Sequence, residues 1–176
     1  MADPFAEKSI IITGASSGLG AEIALEFARR GARLTLFSPE ADKQHDVVDQ
    51  CHQLGGKAVA VIGDVTVADD CRRLSEECVM AHGTIDYLIA NAGISMWTSF
   101  EEVEDLEIFR RLTDINYLGA VNCIYHTLPH LKSSRGMIVA VTSIQAKIGV
   151  PQHTGSVSYT HLRAHETDSS LVCRLL

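Results

Sequence analysis

Five short stretches of this chain are continuously apolar. The segments between them return to an apolar residue every three or four positions. The apolar stretches are 8–13 (with Ile10-Ile11-Ile12 at its centre), 32–37, 57–63, 85–90 and 137–142. A strand with one wet face alternates apolar and polar residues, so a continuous run of this length predicts a strand buried on both faces. The intervening segments 18–30, 40–54 and 67–82 carry helical spacing, and Gly31, Gly55-Gly56 and Gly83 stand where helices stop. A short helix near 101–109 and a longer one near 111–132 separate the last two strands. Strands alternating with helices predict an α/β fold, a doubly wound parallel sheet of the Rossmann type. Right-handed crossovers then place ligands beyond the C-terminal ends of the strands. The chain contains no internal repeat and no long linker.

Composition narrows this picture. At 176 residues the chain is long enough for one domain with a sizeable core. The net charge of −7 leaves no basic footprint for nucleic acid. No apolar run reaches the length of a membrane span, and residues 1–7 lack the basic and apolar regions of a signal peptide. The five cysteines, Cys51, Cys71, Cys78, Cys123 and Cys173, are odd in number and form no Cys-x-x-Cys pair. They read as small apolar filler in a reducing compartment, and the expected location is cytoplasmic.

The densest chemical information lies at Thr13-Gly14-Ala15-Ser16-Ser17-Gly18-Leu19-Gly20, between the first strand and the first helix. A strand that turns through glycines into a helix N-terminus makes a phosphate cradle, because the N–H groups of the first helical turn face the anion. Gly14 permits the sharp turn, Gly18 the approach of a pyrophosphate, and Gly20 close packing of the helix on the sheet. The spacing is Gly-x-x-x-Gly-x-Gly. It differs from the Gly-x-Gly-x-x-Gly of the common dinucleotide fingerprint and from the Gly-x-x-Gly-x-x-Gly of extended epimerases and dehydratases.

Polar residues also stand at the other strand ends. Asp64-Val65 follows the third strand, Asn91-Ala92-Gly93 the fourth and Ser143 the fifth, while Asn116 lies within the long helix. With the glycine loop, Asp114-Ile115-Asn116 and Thr142-Ser143, these pieces resemble the short-chain dehydrogenase/reductase family in its single-domain form. The resemblance runs from about residue 8 to 155, and 143–151 is similar to members close to the hydroxysteroid dehydrogenases. It implies an oxidoreductase that interconverts an alcohol and a carbonyl on a small molecule, in a parent protein that is a homo-oligomer. It also implies residue roles. Thr13, Gly14, Ser16, Ser17, Gly18, Leu19 and Gly20 would hold the pyrophosphate end of the cofactor, and Ser38 would face the adenosine ribose. Asp64 would hydrogen-bond the adenine, with Val65 against the ring; from the residues alone Asp64 also reads as a helix N-cap. Asn91, Ala92 and Gly93 would line the cofactor cleft, with Asn91 also tying strands together. Asn116 would hold a water in a proton relay, and Ser143 would hydrogen-bond the reacting oxygen of the substrate.

The chain departs from the family where the reaction is finished. The family uses a Tyr, whose proton is exchanged with the substrate oxygen, and a Lys four residues later. A free phenol has a pKa of about 10, and the neighbouring ammonium lowers it. Thirteen positions beyond Ser143, where the Tyr is expected, stands Ser156, and the Lys position is Thr160. Tyr159, with Arg163 four residues on, stands three residues out of register, most of a helical turn away. From Val157 onward the text resembles a tail found on unrelated translated sequences that run into sequencing adaptor. The expected organisation is therefore a dinucleotide-binding domain over 1–155, incomplete on its C-terminal side, and a non-native tail over 156–176. His161 and His165 read as solvated tail residues, and no metal site is expected. As written, the chain is expected to be inactive. The alternative is a nucleotide-binding module without catalysis.

The cofactor reading rests on the end of the second strand. An Asp there would bind the ribose hydroxyls and repel a 2′-phosphate. This chain has Phe37-Ser38-Pro39, with no acid before Glu40 and no Arg to greet the phosphate. Nothing at Ser38 excludes the phosphate, so NADP is expected, with NAD also admitted.

Overall fold

The structure, a computed structural model, describes residues 3–142. Ser143, Ser156, Tyr159, Thr160, Arg163 and the whole of 156–176 lie outside the described residues.

Five parallel strands form one sheet: β1 (Ser9–Thr13), β2 (Arg33–Ser38), β3 (Lys57–Ile62), β4 (Tyr87–Ala90) and β5 (Met137–Ala140), in the order β3-β2-β1-β4-β5. β1 sits at the centre, with Ile10 opposite Leu34 of β2 and Tyr87 of β4. The helices are α1 (Gly18–Arg29), α2 (Ala41–Gln53), α3 (Ala68–His82), α4 (Glu107–Thr113) and α5 (Ala120–Ser134). This is the Rossmann-type architecture that the alternation of runs predicts.

The continuous apolar run of β1 has a direct structural reason. Successive side chains point to opposite faces, and both faces are covered. Ile10 and Ile12 join Leu34, Leu36, Ala24, Ala28, Val47 and Val48 in the core under α1 and α2. Ile11 joins Phe37, Val61, Leu74, Leu88, Cys123 and Leu131 in the core under α3 and α5. A single Ile→Asp here would bury an unpaired charge on either side. Cys51, Cys71, Cys78 and Cys123 are free and buried in these two cores.

Most element boundaries shift from the sequence reading by one residue, and the larger differences lie in four places. β4 begins at Tyr87 rather than 85, because the Asp86 carboxylate turns aside to accept the Ser9 N–H (2.9 Å) and to pair with Lys8 (3.3 Å). The expected helix near 101–109 is instead a 3-10 turn, Phe100–Glu102, and α4 starts only at Glu107, where Asp105 accepts the first-turn N–H. The long helix is interrupted by a π-helical segment, Asp114–Gly119. β5 ends at Ala140 rather than 142. Among the described residues no helix is long and apolar enough to cross a membrane.

Candidate functional site

On either side of β1 the chain winds in opposite directions, to β2 and β3 on one hand and to β4 and β5 on the other. Such a switch point leaves a crevice outside the C-terminal strand ends. Here it is a cleft of about 520 Å3. Its walls are the β1–α1 loop from Gly14 to Gly20, the β2 end from Phe37 to Glu40, Gly63–Val65 after β3, Asn91–Ile94 after β4, and Arg111 and Ile115.

The β1–α1 loop needs its glycines for different reasons. Gly14 has φ +65 and donates its N–H to the Phe37 carbonyl (2.8 Å), and a Cβ there would press on the Ala92 backbone. Gly18 has φ +55, and a Cβ there would enter open space, so nothing within the protein fills the room it leaves. At Gly20 a Cβ would collide with the Gly14 carbonyl and the Asn91 amide, so α1 can lie this close only without one. Ser17 is the N-cap of α1 and makes no side-chain cap hydrogen bond. The first-turn N–H groups thus have no side-chain acceptor from Ser17, which fits an anion arriving from the cleft. Ser16, Ser17 and Leu19 line the same wall.

Thr13 does not line the cleft. It is 1% exposed, and its hydroxyl accepts the N–H groups of Asn91 (3.1 Å) and Ala92 (3.0 Å). Asn91 answers by donating its side-chain amide to the carbonyls of Thr13 (3.0 Å) and Gly14 (3.2 Å). Thr13 therefore fixes the cradle to the end of β4. Asn91 both ties and lines, with Ala92 and Gly93 beside it.

Asp64 and Val65 close the far end. Asp64 Oδ1 accepts the Thr66 N–H (2.8 Å) and hydroxyl (2.9 Å), a local turn. It is not the N-cap of α3, which is Val67. The Asp64 N–H donates to Asp70 Oδ2 (3.0 Å), and this bond, with the Arg73 guanidinium, holds the Asp70 carboxyl below its ordinary range. Val65 is held by its carbonyl, which accepts from Asn122 (3.0 Å), and its side chain lies where a Cβ on Gly119 would be.

Asn116 sits in the π segment, 3% exposed. Its Oδ1 accepts the Ile94 N–H (2.8 Å) and its Nδ2 donates to the Ile94 carbonyl (2.9 Å). The side chain thus grips the segment that leaves β4 along the cleft wall. Ser38 is 1% exposed, and its hydroxyl donates to Glu40 Oε2, which also accepts from Ser16 Oγ (3.0 Å). These two hydroxyls hold the Glu40 carboxyl below its ordinary range.

The structure therefore brings every expected cofactor residue except Thr13 to the cleft wall, with Asn116 just behind it. Ser143 lies outside the described residues. The sequence reading gave no role to Ile94, Arg111 or Ile115, which reach the cleft through the loop after β4 and the α4–π corner; of the three only Ile115 stands in a motif, Asp114-Ile115-Asn116. Glu40 was visible as the first acid after the second strand. Its standing two residues past the usual position hid its part in the wall.

With this geometry in place, the short chain dehydrogenase family profile matches residues 8–158. The chain belongs to the short chain dehydrogenase family. Among similar members, an 11-beta-hydroxysteroid dehydrogenase-like 4A of Arabidopsis thaliana is 41% identical over 146 residues, covering 82% of this chain and 49% of that protein. An 11-beta-hydroxysteroid dehydrogenase A of Sesamum indicum is 38% identical over 148 residues, covering 84% and 42%. The chain thus spans about half the length of the curated relatives it matches. An alcohol dehydrogenase from the archaeon Thermococcus sibiricus, solved in complex with 5-hydroxy-NADP, superposes with a TM-score of 0.88 at 26% identity, covering 96% of this chain and 74% of that one.

Proposed function

We propose that this chain forms the cofactor half of a nicotinamide-dependent oxidoreductase that interconverts an alcohol and a carbonyl, with NADP as its dinucleotide and NAD also admitted. The observation that carries the reading is the glycine cradle at the switch point. Gly18 opens onto empty cleft while Gly14 and Gly20 are packed tight, which fits a ligand phosphate at Gly18. The dinucleotide, when bound, supplies or accepts a hydride at its nicotinamide.

The chain's own residues bind and orient. The first-turn N–H groups of α1 hold the pyrophosphate, Ser38 and Ser16 face the ribose, and Asp64 and Val65 border the adenine. Ser143 hydrogen-bonds the substrate oxygen. Asn116 is a positioning residue for the proton relay; its side-chain amide is occupied by Ile94, so a relay water would be held by its main chain. The proton donor is the weak point. Ser156 and Thr160 stand where a phenol and its ammonium partner belong, and a Ser hydroxyl is a far weaker acid than a phenol. We infer that residues 156–176 are foreign to the domain of 1–155 and that the chain as written does not turn over. A cytoplasmic, homo-oligomeric parent completes the proposal.

Oxidation of NADPH, followed against ketones, aldehydes and steroids, tests this reading. The chain should be silent. A chimera carrying a complete family C-terminal segment after Gly155, with Tyr and Lys in register, should turn over, and S143A should slow it strongly. A chimera that binds dinucleotide but never reacts would favour the non-catalytic binding module. Turnover by the chain itself that Y159F abolishes would contradict the reading of the tail.

A further inference from the structure

Among the described residues, Cys71 and Cys123 are the cysteines that meet another sulfur. Cys71 stands in the first turn of α3 and Cys123 near the start of α5, and their Sγ atoms lie 3.6 Å apart. Both are fully buried in the core under these helices. Cys78 instead touches Ser9 Oγ (3.4 Å), and burial pushes the Cys51 thiol up to about 11. Disulfide sulfurs stand about 2.05 Å apart, so a closure of about 1.5 Å would join the pair. The same turn of α3 carries one wall of the cleft. Asp70 accepts the Asp64 N–H (3.0 Å), and Cys71 as a thiol donates to the Val65 carbonyl (3.4 Å). Asn122, the residue before Cys123, donates to that carbonyl too (3.0 Å). Both sulfurs thus lie behind Val65, which lines the cleft.

The two thiols are not equivalent. Cys71 sits at the N-terminal end of a helix of 15 residues, where the positive end of the dipole favours a thiolate. A hydrogen bond from Cys123 holds the Cys71 thiol below its ordinary range, against burial and the charges of Asp70 and Asp64. The same contact, with burial, pushes the Cys123 thiol up. Cys71 is therefore the attacking sulfur and Cys123 the resolving one. Burial shuts out a bulky oxidant. Hydrogen peroxide is little larger than water, and it reaches Cys71 when the end of α3 opens locally. We propose that Cys71 and Cys123 form a peroxide-sensitive dithiol whose disulfide pins α3 to α5 and slackens the Val65 wall of the cleft. The Cys71 thiolate attacks one peroxide oxygen and the O–O bond breaks. A sulfenic acid forms, and the departing hydroxide takes up the proton that Cys71 lost. The Cys123 sulfur then attacks the Cys71 sulfur. The S–S bond forms, the S–O bond breaks, and the hydroxyl leaves as water with the Cys123 proton. Two electrons pass from the sulfurs to one peroxide, which becomes two waters. The disulfide keeps no S–H for Val65, whose carbonyl is left with Asn122. The effect on a ligand rests on the dinucleotide reading above; the crosslink does not.

The test uses the full chain as wild type, C71S, C123S and the double variant. Each is exposed to hydrogen peroxide at neutral pH, its remaining thiols are blocked under denaturation, and it is digested without reduction for mass spectrometry. The wild type should yield a peptide pair joined through Cys71 and Cys123, lost on treatment with dithiothreitol. In C123S the reaction should stop at a Cys71 sulfenic acid, which dimedone captures. In C71S, Cys123 should remain a thiol. NADPH titrated into the oxidised wild type should bind about threefold more weakly than into the reduced protein, the share of one modest hydrogen bond. Dithiothreitol should restore it, and peroxide should leave the affinity of the double variant where it was. A folded wild type that forms no crosslink, or joins Cys71 to Cys51, Cys78 or Cys173, overturns the dithiol. A mapped crosslink with unchanged NADPH affinity overturns its coupling to Val65. A reduced chain that binds no NADPH overturns the cleft reading, and the peptide map still decides the dithiol.

Discussion

Gly20 and Asn116 show how single residues hold the site, and each carries a prediction about stability. A methyl group at Gly20 has nowhere to go, because the atoms it meets are the Gly14 backbone and the Asn91 amide that fastens β4 to β1. G20A should therefore lower stability by about 1–3 kcal/mol, the usual cost of overpacking, read as a fall in the midpoint of thermal melting. N116A leaves the Ile94 N–H and carbonyl without their side-chain partners in a half-buried corner. Each orphaned group costs about 1–3 kcal/mol. The variant should melt earlier and bind dinucleotide more weakly, as the wall at Asn91–Ile94 loosens. At this scale the sequence was informative where function is local. A glycine loop declares itself because its residues are contiguous. Ile94 and Arg111 did not, since each enters the cleft through a tertiary approach with no spacing of its own. Thr13 was assigned to the ligand because it sits in the motif, yet its hydroxyl faces the neighbouring strand.

Among the elements, the strands were legible and the α4–π–α5 segment was not. A continuous apolar run has one good explanation, two covered faces, and β1 realises it with Ile10 and Ile12 on one side and Ile11 on the other. The π segment has the same periodicity as the helices around it. What distinguishes it is long-range: Asn116 reaching Ile94, and Gly119 pressed on Val65. The end of α3 supplies a prediction in pH. His82 is buried and its Nε2–H donates to the Leu34 carbonyl (3.1 Å), linking α3 to β2. Burial lowers its pKa below the ordinary 6.5. The unfolded chain then takes up the proton more readily than the folded one, so stability is lost as pH falls below 6.5 and is complete above it. Chemical denaturation between pH 7.5 and 5.5 (roughly one unit either side of the free imidazole value) should show this decline. H82Q, which keeps a donor but does not titrate, should flatten it. An equal slope in the two proteins would remove His82 as its cause.

For the whole molecule, the proposed site is a dinucleotide cleft at the sheet's switch point, built around Gly18. Family membership, and the superposition on an archaeal alcohol dehydrogenase that was itself solved with 5-hydroxy-NADP, support that proposal. The architecture came from the alternation of runs alone, and the cleft from where the fold puts the strand ends. The hydrogen bonds that fold Glu40 back onto Ser38 and Ser16 were not legible, because they join the β1–α1 loop to the residue before α2 across the cleft wall. The most direct measurement is a fluorescence titration of NADPH and NADH into the chain and into G18V, with thermal melting recorded alongside. A Cβ at Gly18 meets no protein atom and, in the proposed binding mode, a side chain there would take the space of the phosphate, at a backbone cost of about 1–3 kcal/mol for the left-handed conformation. Saturable binding to the wild type is expected, with at least about tenfold weaker binding to G18V while the variant still melts cooperatively, since a blocked anion contact removes charge-assisted hydrogen bonds of this order. Equal affinity of a folded G18V and the wild type for both dinucleotides would contradict it.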